Sequence, residues 1–185
     1  EARESSQPRV VARGYCQLSA VGRVTGTATE NVAVLLEGAA AIDGGKQTTI
    51  SRSTAQQWCD YYGVRVVDGV ALVYKATDKS FRTSGRNGRV GDYTPGTTPR
   101  ATDWDGGREE CGGGFHYSPT PTAARAFNPS AETFVACPVA LSDFRAPQPG
   151  DAYPEKIKAA GNAGPCFEVD EDGEPVPATE ATEAA

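Results

Sequence analysis

Glycine and proline interrupt this chain too often for any long regular element to fit between them. The 185 residues include 21 glycines and 13 prolines. Glycine loses the most conformational freedom on folding, and proline lacks the N–H that helix interiors and central strands use. The apolar share of 38% is still enough to bury a core. The expectation is a loop-rich fold with short elements, in one domain with a small appendage.

Residues 1–13 read as a flexible arm. Residues 14–50 read as an N-terminal β segment: 14–29 mix β-branched residues with glycine, 31–42 are apolar, Asp43-Gly44-Gly45 signals a turn, and 47–50 could begin another strand. A strand-rich domain follows over 51–176. Its clearest helix starts at Ser53, with Gln56 three residues on, and places Ala55, Trp58, Cys59 and Tyr62 on one face before Gly63 stops it. Residues 64–67, Asp68-Gly69 and 70–74 form a strand–turn–strand pattern. Residues 75–105 carry few apolar side chains and read as a long surface excursion. Ser118-Pro119 fits the cap of a second helix over 120–127. Residues 133–141 read as a strand in which Pro138 marks an edge or bulge, and 165–169 as a last strand. Residues 177–185 read as a disordered acidic tail. No internal repeat and no heptad is legible. The fold class expected is α+β: a small mixed, strand-rich domain with two short helices and long loops, plus the N-terminal β appendage.

The formal charge of −6 and the absence of a legible basic face argue against a nucleic-acid partner. No run approaches the roughly 20 apolar residues of a membrane span. The sequence has no methionine, even at position 1, which is expected of a processed chain or one lacking its own start. The five cysteines, Cys16, Cys59, Cys111, Cys137 and Cys166, are odd in number and far apart. They read as reduced thiols in a cytosol.

Chemistry concentrates in Cys111-Gly112-Gly113-Gly114-Phe115-His116, which holds the single histidine of the chain. A thiol and an imidazole joined by a glycine turn suit a metal site or a catalytic pair. One reading is a structural zinc ion held by Cys111, His116, Cys137 and Cys166, with Cys59 as the substitute ligand if Cys137 is not one. A second makes Cys111 a nucleophile and His116 its base, oriented by Asp103 or Asp105. Against both stands the bland reading of buried thiols and a hydrogen-bonded core histidine. Arg82, Arg86 and Arg89 could hold an anion but read more simply as a solvated loop. Trp58 and Phe127 read as core anchors, and Trp104 as a partly exposed contact residue.

From Thr54 onward the order of features resembles the rIIB-like proteins of phages and a related domain of actinobacteria and their phages. The pieces are the helix over 55–62, Val67-Asp68-Gly69-Val70-Ala71-Leu72-Val73-Tyr74-Lys75-Ala76, Tyr93-Thr94-Pro95-Gly96, Asp103-Trp104-Asp105, the Cys111–His116 run, Tyr153-Pro154-Glu155-Lys156-Ile157-Lys158 and Cys166-Phe167-Glu168-Val169. The resemblance implies a phage- or prophage-encoded accessory protein acting in the host cell; the expectation set beside it is that the chain acts by binding a protein partner in the host bacterial cytoplasm, without catalysis. Separately, residues 113–118 followed by Ala123, Ala124 and Phe127 are similar to the NAD-binding turn–strand–helix of ADP-ribosyltransferases. That alternative implies an NAD-using enzyme with Lys75, Ser118 and Glu168 at its site. A third alternative is a structural virion component that uses the glycine-rich N-terminal strands as its interaction surface.

Overall fold

The computed structural model describes residues 8–84, 90–107, 109, 111–148 and 151–177. Most of the expected arm, 1–7, and the expected tail from 178 lie outside the described residues. Among the described residues the architecture is mixed α+β, with two short helices and many strands.

The first six strands form a repeat that sequence inspection does not reveal. They are β1 (Arg9–Ala12), β2 (Gln17–Val21), β3 (Thr25–Ala28), β4 (Ala33–Glu37), β5 (Ala41–Asp43) and β6 (Lys46–Ile50). All their pairings are parallel: β1-β3-β5 make one sheet and β2-β4-β6 the other. The chain therefore coils through both sheets three times, in rungs 9–21, 25–37 and 41–50. Arg9 pairs with Thr25 and Thr25 with Ala41, a step of sixteen residues; Ala33 pairs with Lys46, a shorter step of thirteen. Rung-to-rung hydrogen bonds continue through the turns, as from the Ala33 amide to the Cys16 carbonyl at 3.0 Å. Ala20, Val32, Val34 and Ile42 fill the narrow interior, with Leu18, Leu36 and Ala28 against them. Strand β1 also falls inside the stretch read as a flexible arm.

A buried ion pair joins this solenoid to the domain that follows. Glu37, at the end of β4, and Arg52 are 6% and 9% exposed. The Arg52 guanidinium donates Nε to Glu37 Oε1 at 2.9 Å, a second N–H to Glu37 Oε2, and a third to the Tyr62 hydroxyl at 2.7 Å. It also stacks over the Tyr61 ring. Both tyrosines end α1 (Ala55–Tyr62). Thr54 caps this helix, its side chain accepting from the Gln57 amide while Gln57 reaches back, one residue later than the Ser53/Gln56 box expected. Gly63 closes it in the left-handed region at φ 66°.

The hairpin β7 (Val66–Val67) to β8 (Val70–Thr77) turns at Asp68 and Gly69, both with positive φ. The stretch expected to be a surface excursion contains the hairpin β9 (Arg82–Ser84) and β10 (Val90–Asp92), and it sends Tyr93 into the core at 1% exposure. Then come β11 (Phe115–Tyr117), α2 (Pro121–Phe127), β12 (Thr133–Ala140), β13 (Phe144–Arg145), β14 (Ile157–Ala159) and β15 (Phe167–Val169). Thr120 caps α2 and Pro121 opens it, two residues later than the Ser118-Pro119 start expected. Two antiparallel sheets result, β15-β12-β8-β7 and β11-β14-β13.

The larger sheet is covered on both faces. Ala76, Phe134, Ala136 and Val169 pack with Ala124 of α2 on one side. Val73, Val135, Cys137, Val139 and Cys166 pack on the other with Trp58, Tyr117, Ile157, Ala159 and Phe144 of α1 and the second sheet. Trp58 is fully buried, its indole N–H donating to the Pro154 carbonyl at 2.9 Å. Pro138 is tolerated because β15 pairs with β12 only over Phe134–Ala136; among the described residues no strand pairs with that side of β12 at Pro138, whose carbonyl accepts from the Ala163 amide at 2.8 Å. Phe127, by contrast, is 40% exposed and meets Tyr153 edge to face, so it does not anchor the core.

The Glu37–Arg52 tie yields a test. Removing one member of a buried ion pair strands its partner's charge, which costs roughly 3–5 kcal/mol. Arg52→Met should lower the urea-unfolding free energy by about that amount, and adding Glu37→Gln should recover much of it. Two single-variant losses that simply add would show that the pair does not couple the solenoid to α1.

Candidate functional site

The glycine run of 112–114 is held by carboxylates. Asp105 Oδ2 accepts from the Gly113 amide at 2.8 Å, Asp105 Oδ1 from the Gly107 amide at 2.8 Å, and Asp103 Oδ1 from the Gly114 amide at 3.2 Å. Lys158, 4% exposed, donates its ammonium to both oxygens of Asp105 and to the Glu109 carbonyl. The backbone amide of Gly107 first, then Lys158 and the amide of Gly113, hold the Asp105 carboxyl down to about 2. The expected catalytic orienters Asp103 and Asp105 therefore shape the turn.

From that turn the chain enters β11, and strand alternation separates the expected ligands. Phe115 and Tyr117 point into the core between the sheets, so His116 points to the opposite face. It lies opposite Lys158, whose neighbours Ile157 and Ala159 likewise face the core. Cys137 and Cys166 are in that core, their sulfurs 3.3 Å apart. Cys111 is exposed, and its sulfur accepts from the Lys156 ammonium at 3.4 Å. Cys59 is fully buried on α1, where burial first and Asp60 second push its thiol up to about 11.

The zinc expectation is thereby overturned. Among the described residues no group of three or more His, Cys, Asp and Glu side chains is placed to hold a metal ion. The two thiols of Cys137 and Cys166 do meet, but Cys111 and His116 are on other surfaces. The substitute ligand Cys59 does not complete a set either. Cys111 and His116 as nucleophile and base fare no better on access: the thiol is exposed while the Nε2 atom of His116 is buried.

Lys75, Ser118 and Glu168 are better placed relative to one another. Lys75 and Glu168 each pair with Val135 of β12, so Lys75, Val135 and Glu168 form one row across the sheet. Their Cα atoms are then two strand spacings apart, about 10 Å. Ser118, 3% exposed, exchanges two backbone hydrogen bonds with Tyr74 and stitches β11 to β8. Lys75 donates to the His116 carbonyl at 2.8 Å, and its ammonium lies 5.7 Å from the centre of the Tyr93 ring. Burial lowers Lys75 to about 8, Cys137 opposing that shift and Lys156 reinforcing it.

Sequence inspection missed Asn162, Tyr117 and Tyr93 as partners of this interior. Asn162 is fully buried, accepts from the Tyr117 hydroxyl at 2.6 Å, and donates to the Cys166 sulfur at 3.0 Å. The short Gly161-Asn162-Ala163-Gly164 stretch carries no sequence pattern that marks such an amide as buried. Of the arginine cluster, Arg82 pairs with Asp92 at 3.8 Å, while Arg86 and Arg89 lie outside the described residues. Comparison of the chain with protein-family models, with curated proteins and with solved structures gives no match.

The Lys75 environment sets a pH dependence. Its folded value of about 8 lies below the ordinary 10.5. Between these values the unfolded chain carries a proton that the folded chain does not, so Lys75 contributes rising stability as pH increases through that window. Lys75→Met removes this term. Relative to the variant, the parent should gain stability from pH 7 to pH 10, read as the difference between their melting temperatures. A difference that stays constant with pH would show an ordinary, hydrated ammonium.

Proposed function

We propose that this is a phage- or prophage-encoded accessory protein that acts by binding a protein partner in its bacterial host, with the solenoid as the docking element. One observation carries the reading. Three exposed positions of the first rung are apolar, and at two of them the next rung is polar. Val11 stands above Thr27 and Asp43, and is 56% exposed. Tyr15 is 90% exposed, and the position one rung on is Asn31. Val21 adds a third exposed apolar side chain to the same rung. Among the described residues β1 and β2 each pair on one side only. Open strand edges template further pairing, and apolar side chains along such an edge favour cover by another chain. The phage assignment rests on the rIIB-like succession from Thr54 to Val169.

A photoreactive residue at position 15 tests this, with one at position 31 as the control on the polar rung. In host cells making the protein, discrete adducts are expected from position 15 alone. Equal labelling at both positions, or none at either, would remove the docking role.

The parallel, in-register rungs favour a second reading, a structural virion component, because the edge of one copy could continue on that of another. Head-to-tail continuation of this kind does not close and extends with concentration. Sedimentation velocity separates the two readings: the accessory-protein reading expects a concentration-independent species, the structural reading a growing series. Catalysis is not part of either. The Lys75 ammonium is occupied by the His116 carbonyl, and Ser118 is buried in the seam between the sheets. Added NAD should leave the melting temperature unchanged. A saturable rise abolished by Glu168→Ala is what the ADP-ribosyltransferase-like alternative requires.

A further inference from the structure

The core between the two sheets contains reactive groups that neither the docking role nor simple packing uses. In the pairing of β12 with β15, Val135 lies opposite Glu168 and Ala136 opposite Phe167. The same register, carried one step further, sets Cys137 opposite Cys166. Their sulfurs are 3.3 Å apart, and the residues are fully buried and 2% exposed respectively. Directly opposed residues of an antiparallel pair bring their Cβ atoms to about 4.5–5.5 Å, near the separation a disulfide spans. Closing a bond here takes a small side-chain adjustment and no change of register.

The surroundings make the two sulfurs unequal. The Tyr117 hydroxyl donates to Asn162 Oδ1, which turns the amide N–H₂ toward the Cys166 sulfur. A buried amide is costly unless its hydrogen bonds are made, and an anionic sulfur is its stronger acceptor. Hydrogen bonding from the Cys137 thiol first, and from Asn162 as well, lowers the Cys166 thiol against the effect of burial. Burial pushes the Cys137 thiol up. Cys166 is thus the attacking sulfur and Cys137 the resolving one.

We propose that Cys137 and Cys166 form an oxidation site, a cross-strand dithiol that closes to a disulfide by exchange with a low-molecular-weight disulfide of the glutathione type. The Cys166 thiolate attacks one sulfur of the small disulfide, breaking its S–S bond and expelling a thiolate that takes up a proton. Cys137 then gives its proton to solvent and attacks Cys166 Sγ, expelling the second small thiolate, which is protonated in turn. Two protein thiols are oxidised and one small disulfide is reduced to two thiols. Entry is over the loop at 94–97, where the Gly96 amide donates to the Cys166 carbonyl and the Cys166 amide to the Thr97 carbonyl, both at 2.8 Å. Brief opening of these two hydrogen bonds exposes Cys166. The product clamps β15 to β12 across 29 residues of chain.

The remaining thiols are distinguishable. Cys16 and Cys111 are exposed and take up single small thiols; Cys59 is buried on α1. The full-length protein is incubated with oxidised glutathione at pH 8, alkylated under denaturing conditions and mapped by peptide mass spectrometry. A peptide pair linked through Cys137 and Cys166 is expected, reversed by dithiothreitol. In a Cys16→Ser/Cys111→Ser background the same treatment should leave one titratable thiol and raise the melting temperature by roughly 5–10 °C. Three titratable thiols after treatment, or a link that includes Cys59, would overturn the proposal. Should that background fail to fold, the linked peptide in the parent protein decides alone.

Discussion

The antiparallel pairing of β8 with β12, eight residues on each strand, is the constraint on which the α+β domain depends. It is covered on both faces, so every side chain along it is assigned to one of two cores by parity. Val73, Lys75 and Thr77 share a face with Val135 and Cys137, while Leu72, Tyr74 and Ala76 share the other with Phe134 and Ala136. A slip of one residue would exchange the two sets and bury the wrong side chains on both sides. The first face also sets the chemistry: it aligns Lys75, Val135 and Glu168 in one row and brings Cys137 to Cys166.

The same parity rule, acting on β11, decides why the most conspicuous motif in the chain does not act as one site. Cys111 and His116 are five positions apart, yet the turn ends before Phe115 and the strand sends alternate residues to opposite faces. Phe115 and Tyr117 take the interior. The three glycines let the backbone pass close to Asp103, Asp105 and Trp104; a Cβ on Gly114 would come within 2.5 Å of the Trp104 ring, so the residue is bound by close packing as much as by its φ of 95°. The run is a structural corner whose carboxylate supports, Asp103 and Asp105, resemble catalytic residues only when read in one dimension.

The N-terminal solenoid has a different logic. Its stability comes from stacking, each rung burying a thin strip of Ala, Val, Leu and Ile against the next, and from the Glu37–Arg52–Tyr62 tie that anchors it to α1. The repeat was not legible because few positions recur as the same residue. Gly22 and Gly38 do, both in positive-φ turns, and so do Ala12 and Ala28. The third rung is shortened by three residues, which breaks the period where a third copy would have revealed it. A repeat carried by backbone register and small interior side chains leaves only a faint trace in composition.

Local physics was enough to locate the first helix, its glycine stop, the Asp68-Gly69 hairpin, the strand over 133–140 and the strand-rich α+β class. Each of these follows from neighbours within a few residues, where capping, turn chemistry and periodicity act. Cap positions shifted by one or two residues because adjacent Ser, Thr and Pro offer nearly equivalent starts. The sequence by itself also determined that the chain is acidic and that its elements are short. Tertiary structure alone decided which cysteines meet, that Asn162 is buried beside one of them, that Tyr93 leaves a polar stretch for the core, and that six strands coil into rungs. Those outcomes depend on register between segments dozens of residues apart, and strand pairing sets that register through side chains that no local window contains together.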